Sequence, residues 1–102
     1  MKAPDAFRFA LAATVDAMAA STSLSRRGVA RAAGLDTAPI YRYINGETMP
    51  SVASLNSLAL ACGWTLTRAA RLIEKIENCA PATIDEARKI ASRITDTNRR
   101  DA

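Results

Sequence analysis

The chain is cut into short pieces by its breakers. Gly34, Asn45-Gly46 with Pro50, Gly63 and Pro81 each fall between stretches whose apolar residues recur every three to four positions. That period belongs to a helix with one face turned to a core, and no stretch shows convincing strand-like alternation. A chain punctuated this way is restricted to short helices packed on one another, so the fold class is all-α. Abundant Ala and few aromatic residues favour the same outcome, through close helix packing. With 102 residues there is material for one domain and one modest core.

Residues 5–20 carry Phe7, Leu11, Val15 and Met18 as the stripe of a first helix, with Pro4 and Asp5 suited to its first turn and Ser21–Ser23 stopping it. Ser25 is an N-cap for a short helix from Arg26 to Ala33, with Leu24 and Val29 placed to staple it and Gly34 to end it. Asp36 is the next cap, opening a helix from Thr37 to about Ile44. Pro39 is tolerated there because its missing N–H falls in the first turn. Pro50 and Ser51 introduce a fourth helix, Val52 to Cys62, with Val52, Leu55, Leu58 and Ala59 facing inward and Gly63 closing it. Thr65 or Thr67 caps a fifth, running to about Asn78 with Leu66, Ala69, Leu72, Ile73 and Ile76 apolar. Thr83 and Glu86 have capping-box spacing for a sixth helix over 84–95, lined by Ile84, Ala87, Ile90 or Ala91, and Ile94; the polar tail 96–102 is expected to fray.

The net charge of +4 suits an anionic partner, nucleic acid or membrane surface. No apolar run approaches the roughly 18–20 residues of a membrane span, and Asp5, Arg8 and Asp16 interrupt the N-terminal stretch, so it does not read as a signal peptide. Cys62 and Cys79 are far apart and read as fillers of apolar sites in a reducing cytoplasm. The chain has no His, which removes His-based metal sites and His general bases; no nucleophile–base pair or phosphate loop stands out. The expectation is a cytoplasmic non-enzyme without metal, cofactor or small-molecule ligand.

The informative unit is residues 24–46, two short helices around Gly34. Taking Arg26 as position one, Val29 and Ala30 fall at four and five, Gly34 at nine, Ile40 at fifteen and Tyr43 at eighteen. Two helices crossing steeply over a short turn need a small residue where their backbones approach, and Ala30 is small. The turn needs a positive φ, which Gly34 supplies. Val29, Ile40 and Tyr43 then pack beneath the crossing, leaving Thr37, Ala38, Tyr41 and Arg42 on the outward face, free to enter a major groove. Between 24 and 46 the charged residues are Arg26, Arg27, Arg31 and Arg42 against Asp36, whereas charges from 66 to 96 nearly cancel.

Leu24-Ser25, Val29-Ala30, Gly34-Leu35, Ile40, Asn45-Gly46, Pro50-Ser51, Leu55, Leu58-Ala59 and Gly63 together resemble the lambda-repressor/Cro family of helix-turn-helix proteins. The resemblance covers about residues 7–76 and implies a five-helix DNA-binding domain over 1–80. The apolar line of the additional helix, in the segment 81–102, either folds back onto the domain or serves as a dimerisation element, and the two-fold operators usual for this family favour the dimer slightly. The resemblance implies base-edge contacts from Thr37, Ala38 and Arg42 with Tyr41 beside them, and phosphate contacts from Ser25, Arg26 and Asn45. Arg27 reads either as a further phosphate contact or as long-range attraction. Arg42 is suited to bidentate contact with guanine, and Ala38 to a thymine methyl.

The function implied is a sequence-specific double-stranded DNA-binding repressor of phage or bacterial type, acting on an operator as a homodimer. Two alternatives stay open: the antitoxin of a toxin–antitoxin pair with the same fold, and a helical module that contacts only proteins.

Overall fold

Serine and threonine hydroxyls open four of the six helices found among the described residues of the computed structural model, which describes the backbone of residues 5–101 and the side chains of residues 5–96. The helices are α1 (Ala6–Ala20), α2 (Arg26–Ala32), α3 (Thr37–Ile44), α4 (Val52–Ala61), α5 (Leu66–Asn78) and α6 (Ile84–Asp101), with no strand among the described residues. Ser25 Oγ accepts from the Gly28 amide at 3.0 Å, and Ser51 Oγ accepts from the Ser54 amide at 3.1 Å. Thr65 Oγ1 accepts from Arg68 and Thr83 Oγ1 from Glu86, both at 3.1 Å. Each such cap contributes about 1 kcal/mol by satisfying an otherwise orphaned amide.

Two expected starts differ in detail. Asp36 has the extended backbone of a cap, yet its side chain accepts no helix amide. Glu86 reaches back to the Ala82 amide at 3.4 Å, so its capping box closes one residue earlier than expected. Leu24 lies over Gly28 and stays exposed while Val29 is buried, so Leu24 adds little burial to the α2 cap. The expectation for Pro4 lies outside the described residues.

Helices α2, α3 and α4 end alike. The residue after each closing glycine donates back across the last turn: Leu35 to Ala30 at 2.8 Å, Glu47 to Arg42 at 2.9 Å and Trp64 to Ala59 at 2.8 Å. The end of α5 uses Ala80 at φ +50, and Pro81 after it has no N–H to supply the second bond.

Helix α1 is the axis of the molecule. It packs most extensively against α5 and α6 and also touches α3 and α4, so burial runs nearly all round it, through Ala6, Ala10, Ala12, Ala13, Thr14, Val15 and Met18. The Thr14 hydroxyl is satisfied by donating to the Ala10 carbonyl at 2.8 Å. Val29, Ile40, Leu58, Ile73 and Ile76 complete the core from α2 to α5. Two residues expected inward are not there: Phe7 is 46% exposed and Val52 72% exposed. Val52 opens α4 before its first buried residue, Leu55, whereas Phe7 follows fully buried Ala6 and lies on a side of α1 left open.

Helix α6 departs furthest from expectation. It runs on to Asp101 instead of stopping near 95, and Ala87, Ile90 and Ala91 are buried within this chain, mainly against α1. The middle of its apolar line is therefore covered within the chain, while Ile84 and Ile94 at its two ends are half-buried. Trp64 is buried as expected, donating its indole N–H to Ser21 Oγ at 3.0 Å beneath the Arg68 guanidinium, 3.8 Å from the ring centre. Among the described residues no helix is long and apolar enough to cross a membrane.

Candidate nucleic-acid interface

The eight residues of α3 divide cleanly by face. Ile40 and Ile44 are buried, and Tyr43 packs half-buried against the same core. Ala38, Tyr41, Arg42 and Asn45 are exposed, and their spacing of i, i+3, i+4 and i+7 places them on one outward stripe. Thr37, at the first position of the helix, is half-buried on the flank of that stripe. Of the four residues expected to face a base edge, Ala38, Tyr41 and Arg42 therefore share the exposed face, with Tyr41 47% accessible.

The turn before α3 is set by Gly34 at φ +74, where a side chain would be strained. Ala30 is fully buried beside Val29 at the α2–α3 contact, as its small size requires. Arg27 and Arg31 are exposed on α2, four residues apart and so on one face. Ser25 is exposed; its oxygen caps α2 while the hydroxyl hydrogen stays available to donate. Arg26 is different from its neighbours, because its Nη2 donates to Asp16 Oδ1 at 2.9 Å. Its charge is partly compensated by α1, while Arg27, Arg31 and Arg42 are exposed on α2 and α3. Exposed Asp36 opposes them.

The C-terminal end of α3 is held from behind. Arg8 of α1 donates from Nη1 to the Gly46 carbonyl at 2.7 Å, and Arg88 of α6 donates from Nη2 to the Ile44 carbonyl at 2.9 Å. Arg88 Nε is buried 3.9 Å from Asp16 Oδ2, within ion-pair reach without a hydrogen bond, and Arg88 Nη1 meets Asp85 at 3.4 Å. Asp16 thus faces two arginines, one on α2 and one on α6. Gly46 is buried at φ +73, and a Cβ there would lie 2.6 Å from Ile84 Cδ1.

None of Arg8, Asp16, Ile84 or Arg88 was foreseen in this setting. The sequence shows Asp16 only as a charge interrupting an apolar stripe, and no local pattern links Arg88 to a carbonyl on α3.

Elsewhere, a cleft of about 630 Å³ opens between α1 and α6, walled by Ala13, Ala17, Trp64, Arg68, Arg88 and Lys89 among others; it includes no residue of α2 or α3. No group of three or more potential metal-binding side chains occurs among the described residues. Both cysteines are free. Cys62 packs against the core and its burial pushes the thiol above its ordinary value. Cys79 is exposed rather than filling an apolar site, because it lies beyond Ile76, the last buried residue of α5. No family model, curated protein or solved structure matches the chain.

Proposed function

We propose that this chain is a sequence-specific double-stranded DNA-binding regulator that reads the major groove with the outward stripe of α3. The observation that carries the reading is the exposed line of Ala38, Tyr41, Arg42 and Asn45, backed by buried Ile40 and Ile44, beside a second helix that exposes Arg27 and Arg31. An α-helix with its side chains is about 10–12 Å across, which fits a major groove about 12 Å wide. The N-terminus of α2, with Ser25 and its free amides, suits a phosphate, since unpaired N–H groups and the helix dipole both favour an anion. Arg42 is the base reader: its planar fork matches guanine O6 and N7, discriminating by about 1–3 kcal/mol. The resemblance of residues 7–76 to the lambda-repressor/Cro family supports the same reading and adds its biological form, a repressor of bacterial or phage type that occupies an operator.

Selection of bound duplexes from a random pool, with affinity followed against salt, tests this directly. Enrichment of an inverted repeat, its half-site centres about one helical turn apart at roughly 34–36 Å, is expected for a homodimer on a two-fold operator. Ala87, Ile90 and Ala91 are covered within one copy, so the contact of such a dimer is sought among exposed residues. Affinity should fall steeply with salt as phosphate-bound counterions are displaced. Binding without enrichment would reduce the protein to a non-specific binder, and no binding at low salt removes the reading altogether. Arg42→Ala should weaken the selected sequence about 10-fold or more while leaving random duplex little changed. Equal losses on both would strip Arg42 of its base-reading role.

A further inference from the structure

Resting on the reading of α3 as the groove-facing helix, we propose that Arg88 of α6 is a positioning residue for sequence recognition, held in place by Asp16. The last carbonyls of α3 have no partner within the helix and must find one outside it. Tyr41, Arg42 and Tyr43 carbonyls are taken by the amides of Asn45, Glu47 and Gly46. The Ile44 carbonyl receives Arg88, and the Gly46 carbonyl of the exit turn receives Arg8. A cation at this end also complements the negative pole of the helix. Both donors come from far along the chain, on α1 and α6, and Ile84 of α6 packs directly against Gly46.

The consequence is geometric. At its N-terminal end α3 is fixed by the short turn from α2; at the other end buried Ile44 anchors the core face, and Arg88 and Arg8 grip the backbone itself. Arg42 and Asn45 lie at that end, so a small tilt displaces them most. Base readout needs its side chains held to within about 0.5 Å, and an eight-residue helix has too little of its own core face to guarantee that. Asp16 steadies Arg88 from α1 while also holding Arg26 of α2, so α1, α2, α3 and α6 meet in one polar cluster behind the reading face. Helix α6 is thereby part of the recognition unit although none of its residues need touch DNA.

The test uses the full chain carrying Arg88→Met, which keeps the stem and removes the donors, and Arg88→Lys, which keeps the charge. Each is assayed at a temperature where circular dichroism shows it folded. Affinities for the selected duplex and a random duplex are measured against salt, and amide hydrogen exchange is followed by NMR without DNA. The expected result for Arg88→Met is about tenfold weaker binding to the selected duplex, unchanged random-duplex affinity and salt slope, and faster exchange at Asn45, Gly46 and Glu47 but not at Leu72 or Ile73. Arg88→Lys should recover part of both effects. If Arg88→Met cannot be brought to a folded state, Arg88→Lys alone decides, with smaller changes in the same directions. Equal losses on both duplexes with the salt slope reduced by about one would make Arg88 a phosphate contact instead. Unchanged specific binding, or unchanged exchange at the end of α3, overturns the proposal. Should the unaltered protein bind no duplex, the DNA reading fails, and the exchange measurement alone decides whether Arg88 seats α3.

Discussion

Gly34 and Gly46 share a left-handed backbone but not a neighbourhood. A Cβ at Gly34 would meet nothing within 4 Å, whereas one at Gly46 would lie 2.6 Å from Ile84 Cδ1. Gly34→Ala should therefore cost only the backbone term, about 1 kcal/mol. Gly46→Ala adds displacement of a packed side chain and should cost roughly 2–3 kcal/mol. Urea melts of the two variants check this, and equal costs would show that Ile84 yields freely. Both glycines are legible in the sequence as turn residues. The difference between them is not, because it is made by a side chain that arrives from α6. The caps divide in the same way: Ser25 and Thr83 bond the amides their spacing promises, while Asp36 takes the cap position without the bond.

Single elements follow their periodicity except at their ends. In α5 the expected residues Ala69, Leu72, Ile73 and Ile76 are all buried, since one apolar stripe meets one covering surface. Helix α1 behaves otherwise: surrounded by α3, α4, α5 and α6, it buries alanines as thoroughly as its larger residues, and Phe7 is left outside. A stripe of large residues marks the core face of a helix covered on one side; for a helix covered nearly all round, small residues mark where neighbours come closest. Ala10→Leu should accordingly destabilise by about 1–3 kcal/mol through overpacking. Ala20→Leu, on an exposed position of the same helix, should stay within about 0.5 kcal/mol. Comparable costs at the two sites, read from thermal melts, would contradict this account of α1.

At the scale of the molecule, α6 packs into the same body as the other helices, mainly against α1. The radius of gyration, 12.6 Å, agrees with the ≈ 13 Å of a single folded domain of about 100 residues. Ending the chain after Ala82 would uncover the α1 surface beneath Ala87, Ile90 and Ala91 and forfeit about 3 kcal/mol or more of apolar burial. The melting temperature should fall by roughly 12–24 °C. An α6 that served only to join two copies would leave melting at low protein concentration almost unchanged. Losing α6 also removes Arg88 and Ile84 from behind α3, so stability and the proposed DNA binding should decline together.

The helices, their order and the outward side of α3 are legible in the sequence, apart from the length of α6. Those features depend on the spacing of apolar residues, the hydroxyl caps and the glycine-ended turns, all of which act within a few residues of one another. The place of α6, the sharing of Asp16 between Arg26 and Arg88, and the hold of Arg8 and Arg88 on the end of α3 emerge only when the helices pack. Each of those rests on pairings between distant segments. An arginine's reach and charge permit many carbonyl or carboxylate partners, and the packing of α1 against α5 and α6 selects which of them it meets.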